Sequence, residues 1–169
     1  MGYDRRYTRE EIHQMLYLSE RRLRPTAPAD RAHKGHAISQ HTEQRDDPFD
    51  RRHVKQDSTF ASRKDLVLAA EDALHSTEGQ AELATLNAHG THTCKIAVQL
   101  TATAGRIKAD VVMNPMARVG RRQVPAQGPA HYLKGVQVNS VVLIIDAHAA
   151  AESFAPLHIQ TAYPKDVAV

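Results

Sequence analysis

The sequence predicts an α+β fold in which helices come first and an antiparallel sheet follows. Three observations carry the prediction. Up to Gly90 the apolar residues recur at helical spacing behind capping residues; beyond it they alternate as half-buried strands do. Runs of helices followed by runs of strands segregate in the fold, which favours an antiparallel sheet. A single cysteine, Cys94, excludes any intrachain disulfide, so the core alone must hold the chain together. The 169 residues allow one domain, and 41% hydrophobic residues suffice for its core.

Taken in order, Thr8-Arg9-Glu10-Glu11 is a capping box, a Thr followed three residues later by Glu. The helix it opens carries Ile12, Met15 and Leu16, with Leu23 beyond, and should stop near Arg24 because Pro25 restricts its predecessor. Pro25 to Asp30 reads as a linker. Residues 1–30 are therefore expected to be an N-terminal helical extension, and 31–169 the functional domain. From Ala32 a short helix should carry His36, Ile38 and His41. Five residues rotate a helix by about 140° net, so the two imidazoles are expected on different faces, in different roles. Asp46-Asp47-Pro48 opens another helix, with Phe49 inward and Arg51, Arg52 and His53 on its flank.

Ser58-Thr59-Phe60 reads as a brief strand. Ser62 caps a helix that offers Leu66, Leu68, Ala69, Ala70 and Leu74 to the core. Thr77-Glu78-Gly79-Gln80 reads as a further cap, leading through Ala81, Leu83 and Leu86. Residues 57–82 hold six acids against two bases, so this stretch is expected to lie away from any phosphate site. Then Cys94, Ile96, Val98 and Leu100 alternate with polar neighbours as a strand, and Ile107 to Met113 forms another. Asn114 to Tyr132, rich in Pro and Gly, reads as a long loop bearing Arg118, Arg121 and Arg122. Val136 to Asp146 is a strongly apolar strand, and Ala147 to Pro156 a return into a last strand, Leu157 to Tyr163.

That last strand ends in Thr161-Ala162-Tyr163-Pro164. Successive strand side chains face opposite ways, so Thr161 and Tyr163 share a face with hydroxyls about 7 Å apart, able to hold a phosphate or a base. The competing reading is a buried Tyr that finds a hydrogen-bond partner. His158, by the same alternation, is expected on the opposite face. A formal charge of +3 and a pI near 9.1 are compatible with a nucleic-acid partner. Eleven histidines raise the question of proton or metal chemistry. His89-Gly90-Thr91-His92-Thr93-Cys94 does not have common zinc spacing, and no metal is expected. No run approaches the roughly 18 apolar residues of a membrane span, and no signal peptide is visible at the N-terminus.

Gly35-His36-xxxx-His41, then Arg52, then Ser58-Thr59-Phe60 before a helix, then the terminal Thr161-Ala162-Tyr163-Pro164 together resemble a known pattern. It is the bacterial ribonuclease A-like toxin domain found at the C-terminus of contact-dependent growth inhibition proteins and other polymorphic toxins. The resemblance covers about residues 33–164. It implies a curved antiparallel sheet with helices on one side, like pancreatic ribonuclease but without its disulfides. It places the catalytic set on His41, Arg52, Thr161 and Tyr163. The chain departs from the pattern at Ser153 to His158, which lacks a frequent Gly-Tyr, and between Gly90 and Lys134, which aligns poorly.

The implied activity is a metal-independent endoribonuclease, with no cofactor, that cleaves RNA (tRNA among the candidates) to a 2′,3′-cyclic phosphate. RNA carries its own nucleophile, the 2′-hydroxyl, so cleavage needs a base, an acid and charge stabilisation. His41 suits the base or acid role at neutral pH. Arg52 offers a planar fork to phosphate oxygens. Thr161 can donate to phosphate or to a base edge, and Tyr163 can position phosphate. His36 is the candidate additional acid or base, against a structural role at the helix start. Arg118, Arg121 and Arg122 are candidate RNA-backbone contacts, against a solvated loop. The resemblance further implies secretion or delivery from a producer, action in the target-cell cytoplasm, and a cognate immunity protein. That partner is expected to be acidic, with the chain otherwise monomeric and not membrane-bound. The competing functions are a non-catalytic RNA- or protein-binding module and a metal-dependent nuclease using the His-rich loops.

Overall fold

The computed structural model describes residues 2–22, 34–42, 55–89, 93–147 and 155–168. Helix α1 spans Arg9–Ser19 and α2 Ala37–His41; strand β1 spans Gln56–Phe60; α3 and α4 span Arg63–His75 and Thr77–His89. Six strands follow: β2 Thr93–Gln99, β3 Lys108–Met113, β4 Met116–Val119, β5 Arg122–Pro125, β6 His131–Ala147 and β7 Leu157–Val167. The fold is α+β, with a strongly curled antiparallel sheet and no disulfide.

The main sheet runs β1-β3-β6-β2, with β7 also on β6. The 17 residues of β6 organise it: residues 131–137 pair with β3, while 138–147 carry β7 and, over Ser140–Asp146, also β2. Curling brings β1 back to β7, where the Ser58 hydroxyl donates to the Pro164 carbonyl at 3.0 Å. The alternation read in the sequence is seen in β2, where Cys94, Ile96 and Val98 are buried and their neighbours exposed. Paired strand residues share a face, so these three align with Ile145, Leu143 and Val141 of β6 on the side that meets the helices. Burial pushes the Cys94 thiol up to about 12, leaving it a neutral core residue.

The capping box forms as expected: Thr8 accepts from the Glu11 amide and Glu11 from the Thr8 amide. Helix α1 nevertheless stops at Ser19, short of the expected Arg24. It is not set apart from the rest, as an N-terminal extension over residues 1–30 would be. Ile12, Met15 and Leu16 are fully buried in the one core shared with the sheet and α3. Their helical spacing gives α1 an apolar stripe that needs a partner, and β7 and α3 supply it.

Two further expectations change. The cap of α4 is Ser76 rather than Thr77: its Oγ accepts from the Gly79 amide at 2.9 Å, and a Cβ at Gly79 would overlap the Ala73 carbonyl. Residues 114–132 are not one loop. They form the β4–β5 hairpin, turning at Gly120 with φ +61, and then enter β6 at His131. Pro115, Pro125 and Pro129 lie at or beyond the hairpin's ends, where no ladder donor is lost. The helix expected after Asp46, with Arg51, Arg52 and His53, lies outside the described residues, as do most of the 147–156 return and the Gly90–His92 stretch.

Candidate active site

Helix α2 is one turn and a half long, too short to hold itself together. Its support comes from α1. Glu20, just past the end of α1, accepts the Ile38 and Ser39 amides on one carboxylate oxygen at 2.5 and 2.9 Å. These are two of the orphan donors at the start of α2, so Glu20 caps a helix 18 residues further on. The chain reaches that helix through Gly35. Its amide donates to the Ser19 carbonyl at 2.8 Å, and a Cβ there would sit 2.8 Å from the Ile159 carbonyl.

Strand β7 contributes the other half through a β-bulge. Ile145 pairs with Ile159 but Ile144 pairs with Thr161, so Gln160 is an extra residue in the ladder. The Gln160 carbonyl accepts the His36 amide at 2.9 Å and joins β7 to the start of α2. The extra residue also turns the strand over. Before it, Leu157 and Ile159 face the core; after it, Ala162 does. Thr161 and Tyr163 therefore face away from the core, on the same side as Val142 and Ile144.

These two halves enclose a cavity of about 510 Å³ lined by His36, His41, Asp57, Ser58, Thr161 and Tyr163, with Gln56, Pro164 and Lys165 completing its rim. Its size lies within the ~300–1,000 Å³ of ordinary ligand pockets. The His41 ring stands 5.7 Å from the Tyr163 ring and 5.6 Å from the His36 ring, centre to centre. His41 is 5% exposed and Thr161 6%. The Thr161 hydroxyl has no hydrogen-bond partner among the described residues, so a buried donor and acceptor is presented to the cavity.

Three of the four residues expected to be catalytic, His41, Thr161 and Tyr163, thus meet around one cavity; Arg52 lies outside the described residues. His36 joins them, against the helical-wheel expectation. It is the N-cap of α2, with φ −142 and ψ 22, so the 100° per residue of a helix does not apply to the step from it to Ala37. His158 also departs from expectation. The bulge places it on the face of Thr161 and Tyr163, opposite Asp146 in the ladder, but it is buried beyond the cavity and lines none of it. The acidic stretch 57–82 is not wholly remote either: Asp57, 8% exposed, lines the cavity. The signal for it was absent from the sequence, because only the pairing of β1 with β3 and the curl toward β7 bring it there. Arg118, Arg121 and Arg122 sit exposed on the β4–β5 hairpin and do not line this cavity.

A larger cleft, about 1200 Å³, opens beside α3 and the end of β2. Arg6, Arg9, Lys64 and Arg106 alternate around it with Asp65, Glu71, Asp72 and Glu78, and Asp72 is engaged by the Thr103 amide and hydroxyl at 3.0 and 2.7 Å. Its cations and anions balance, so no net charge converges there, and His75 is engaged by the Tyr7 amide at 2.9 Å. The smaller cavity does present a convergent set: two imidazoles, a phenol, two small hydroxyls, a carboxylate and an ammonium. Such a set can take up and deliver protons and can hold an anion. Comparison with family models, characterised proteins and solved structures finds no match to the chain.

Proposed function

We propose that this chain is a metal-independent endoribonuclease toxin domain that cleaves RNA by transphosphorylation. The observation that carries the reading is the meeting of His41 with Tyr163 and Thr161 around one cavity, from stretches 120 residues apart that each match the toxin pattern. In the proposed reaction the RNA 2′-oxygen attacks the adjacent phosphorus and loses its proton to one imidazole. The P–O5′ bond breaks, and the departing 5′-oxygen takes a proton from the second acid. A 2′,3′-cyclic phosphate and a 5′-hydroxyl result. His41 and His36, 5.6 Å apart, divide the proton work. The Thr161 hydroxyl and Tyr163 hold the phosphate, and Arg52 supplies the planar cation that the crowded phosphorane needs. Lys165 at the rim adds attraction for the anionic strand.

A toxin of this kind requires a cognate immunity protein in its producer. Its surface over the cavity is acidic, complementing a chain of net charge +3. The toxin is delivered from the producer and acts in the target-cell cytoplasm, with tRNA among its substrates. Purified protein in EDTA should cleave total RNA, and His41→Ala should lower the rate at least ~100-fold, the smaller end of what a positioned acid or base contributes. The pH profile should be bell-shaped around the imidazole range, with one limb lost in His36→Ala. Full cleavage by His41→Ala, or cleavage that stops in EDTA, would sink the reading. RNA binding without cleavage in the unaltered chain would leave a binding module instead.

A further inference from the structure

On the ribonuclease reading of the cavity, we propose that Tyr132 and the β4–β5 hairpin form a second subsite. It stacks a nucleobase and holds the phosphates of single-stranded RNA next to the cleavage point.

The ladder places this subsite. Asp57 of β1 pairs with Val112 of β3, and Val112 with Tyr132 of β6. The three side chains lie in one row, on the face away from Phe60, Ala109 and the core. Asp57 lines the catalytic cavity, so Tyr132 stands two strand spacings from it on the same surface. At about 4.8 Å per strand that is about 10 Å, a span that a few nucleotides of single-stranded RNA cover.

Tyr132 is 47% exposed, and its ring borders a separate cleft of about 610 Å³ lined also by Asn114, Pro115, Pro125 and Pro129. Of the four large apolar residues exposed among the described ones, Val119, Tyr132 and Leu133 belong to the hairpin and its root. A half-exposed phenol beside prolines is a flat apolar face, suited to a base ring.

Charge selects the occupant. No Asp or Glu occurs between Asp110 and Asp146, while Arg118, Arg121, Arg122 and Lys134 do. The three arginines are exposed and have no ion-pair partner among the described residues; Arg118 Nε donates to the Gly120 carbonyl at 3.2 Å, which fixes it at the turn. A basic arm with an aromatic platform at its root fits a polyanion with unstacked bases, and so single-stranded RNA over an acidic protein surface.

The test is binding of full-length protein to uncleavable 2′-O-methyl oligonucleotides of two and six residues, read by fluorescence anisotropy. The six-mer should bind more tightly than the two-mer. Tyr132→Ala should weaken the six-mer about 10- to 100-fold, leave the two-mer unchanged, and be rescued by Tyr132→Phe, which keeps the ring. Replacing Arg121 and Arg122 by Gln should lower the slope of log affinity against log salt by about 0.7 for each phosphate that an arginine no longer neutralises. Unchanged six-mer binding in both variants assigns the hairpin to something other than RNA and overturns the subsite; so does an equal loss for both lengths. Cleavage of unmodified RNA is scored separately. Tyr132-dependent binding without cleavage keeps the subsite and removes the ribonuclease reading, whereas cleavage with Tyr132-independent binding does the reverse.

Discussion

Gly35 shows how much of the site hangs on one absent carbon. Its hydrogen faces the Ile159 carbonyl and the Ser19 side chain and backbone, so two segments, the end of α1 and β7, close around it. Ser19 fills the remaining polar valences there: its Oγ donates to the Met15 carbonyl at 2.6 Å and accepts the Ile159 amide at 2.9 Å. The neighbours that a Cβ would strike are backbone and a bonded Ser, neither of which can swing aside. Gly35→Ala should therefore cost about 1–3 kcal/mol of stability, the usual penalty of overpacking. It should also push His36 off Gln160, lowering the proposed RNA cleavage beyond what the unfolded fraction explains. Chemical denaturation alongside a rate measurement checks this, and an unshifted midpoint would contradict the packing argument. At this scale the sequence was legible where residue type and order carry the information, as for His41, Thr161 and Tyr163. It was silent where position comes from pairing, as for Asp57.

Among the elements, α2 depends on a cap it does not own. Glu20→Ala removes the acceptor of two amides and should cost about 0.5–2 kcal/mol, the range for lost helix caps. Glu20→Gln keeps an acceptor oxygen and should recover part of the loss. Because α2 carries His41, the Ala variant should lose rate more than substrate affinity; equal rates in both variants would separate the cap from the site. Helices α1 and α3 and strand β2 could be read from period and caps, because each buries a regular stripe, and the second half of β6 from its continuous apolar run. The β4–β5 hairpin could not. Its strands are four residues each, largely exposed and without an alternating apolar face, and its prolines and glycines speak for turns. Nor could the Glu20 cap, which joins residues through space after the chain has left α1.

For the molecule as a whole, the N-terminal helix is structure rather than appendage. Ile12, Met15 and Leu16 are each fully buried, and side chains of this kind contribute about 1.5–3 kcal/mol apiece by leaving water. Together they are comparable to the ~5–15 kcal/mol by which domains are stable at all. A chain lacking residues 1–22 should lose its cooperative thermal transition and the RNA cleavage proposed for it together; a sharp melt in the truncated protein would restore the view of a dispensable extension. The sequence misleads here because Pro25 and the Pro-Ala-Asp stretch around it look like a boundary in one dimension. Burial is decided in three.

The bulge at Gln160 has one further consequence. A β-strand keeps its two sides in step only while residues are added or removed in pairs. Deleting this supernumerary position would restore a plain ladder and leave both hydroxyls where they are, whereas flattening the bulge with Gln160 retained would swap the rows beyond it, driving two hydroxyls into oil and lifting Ala162 into water. A chain one residue shorter at this point would thus keep the same two rows, with no bulge. Any chain aligned to it must be counted from the Tyr163 side, not from His158.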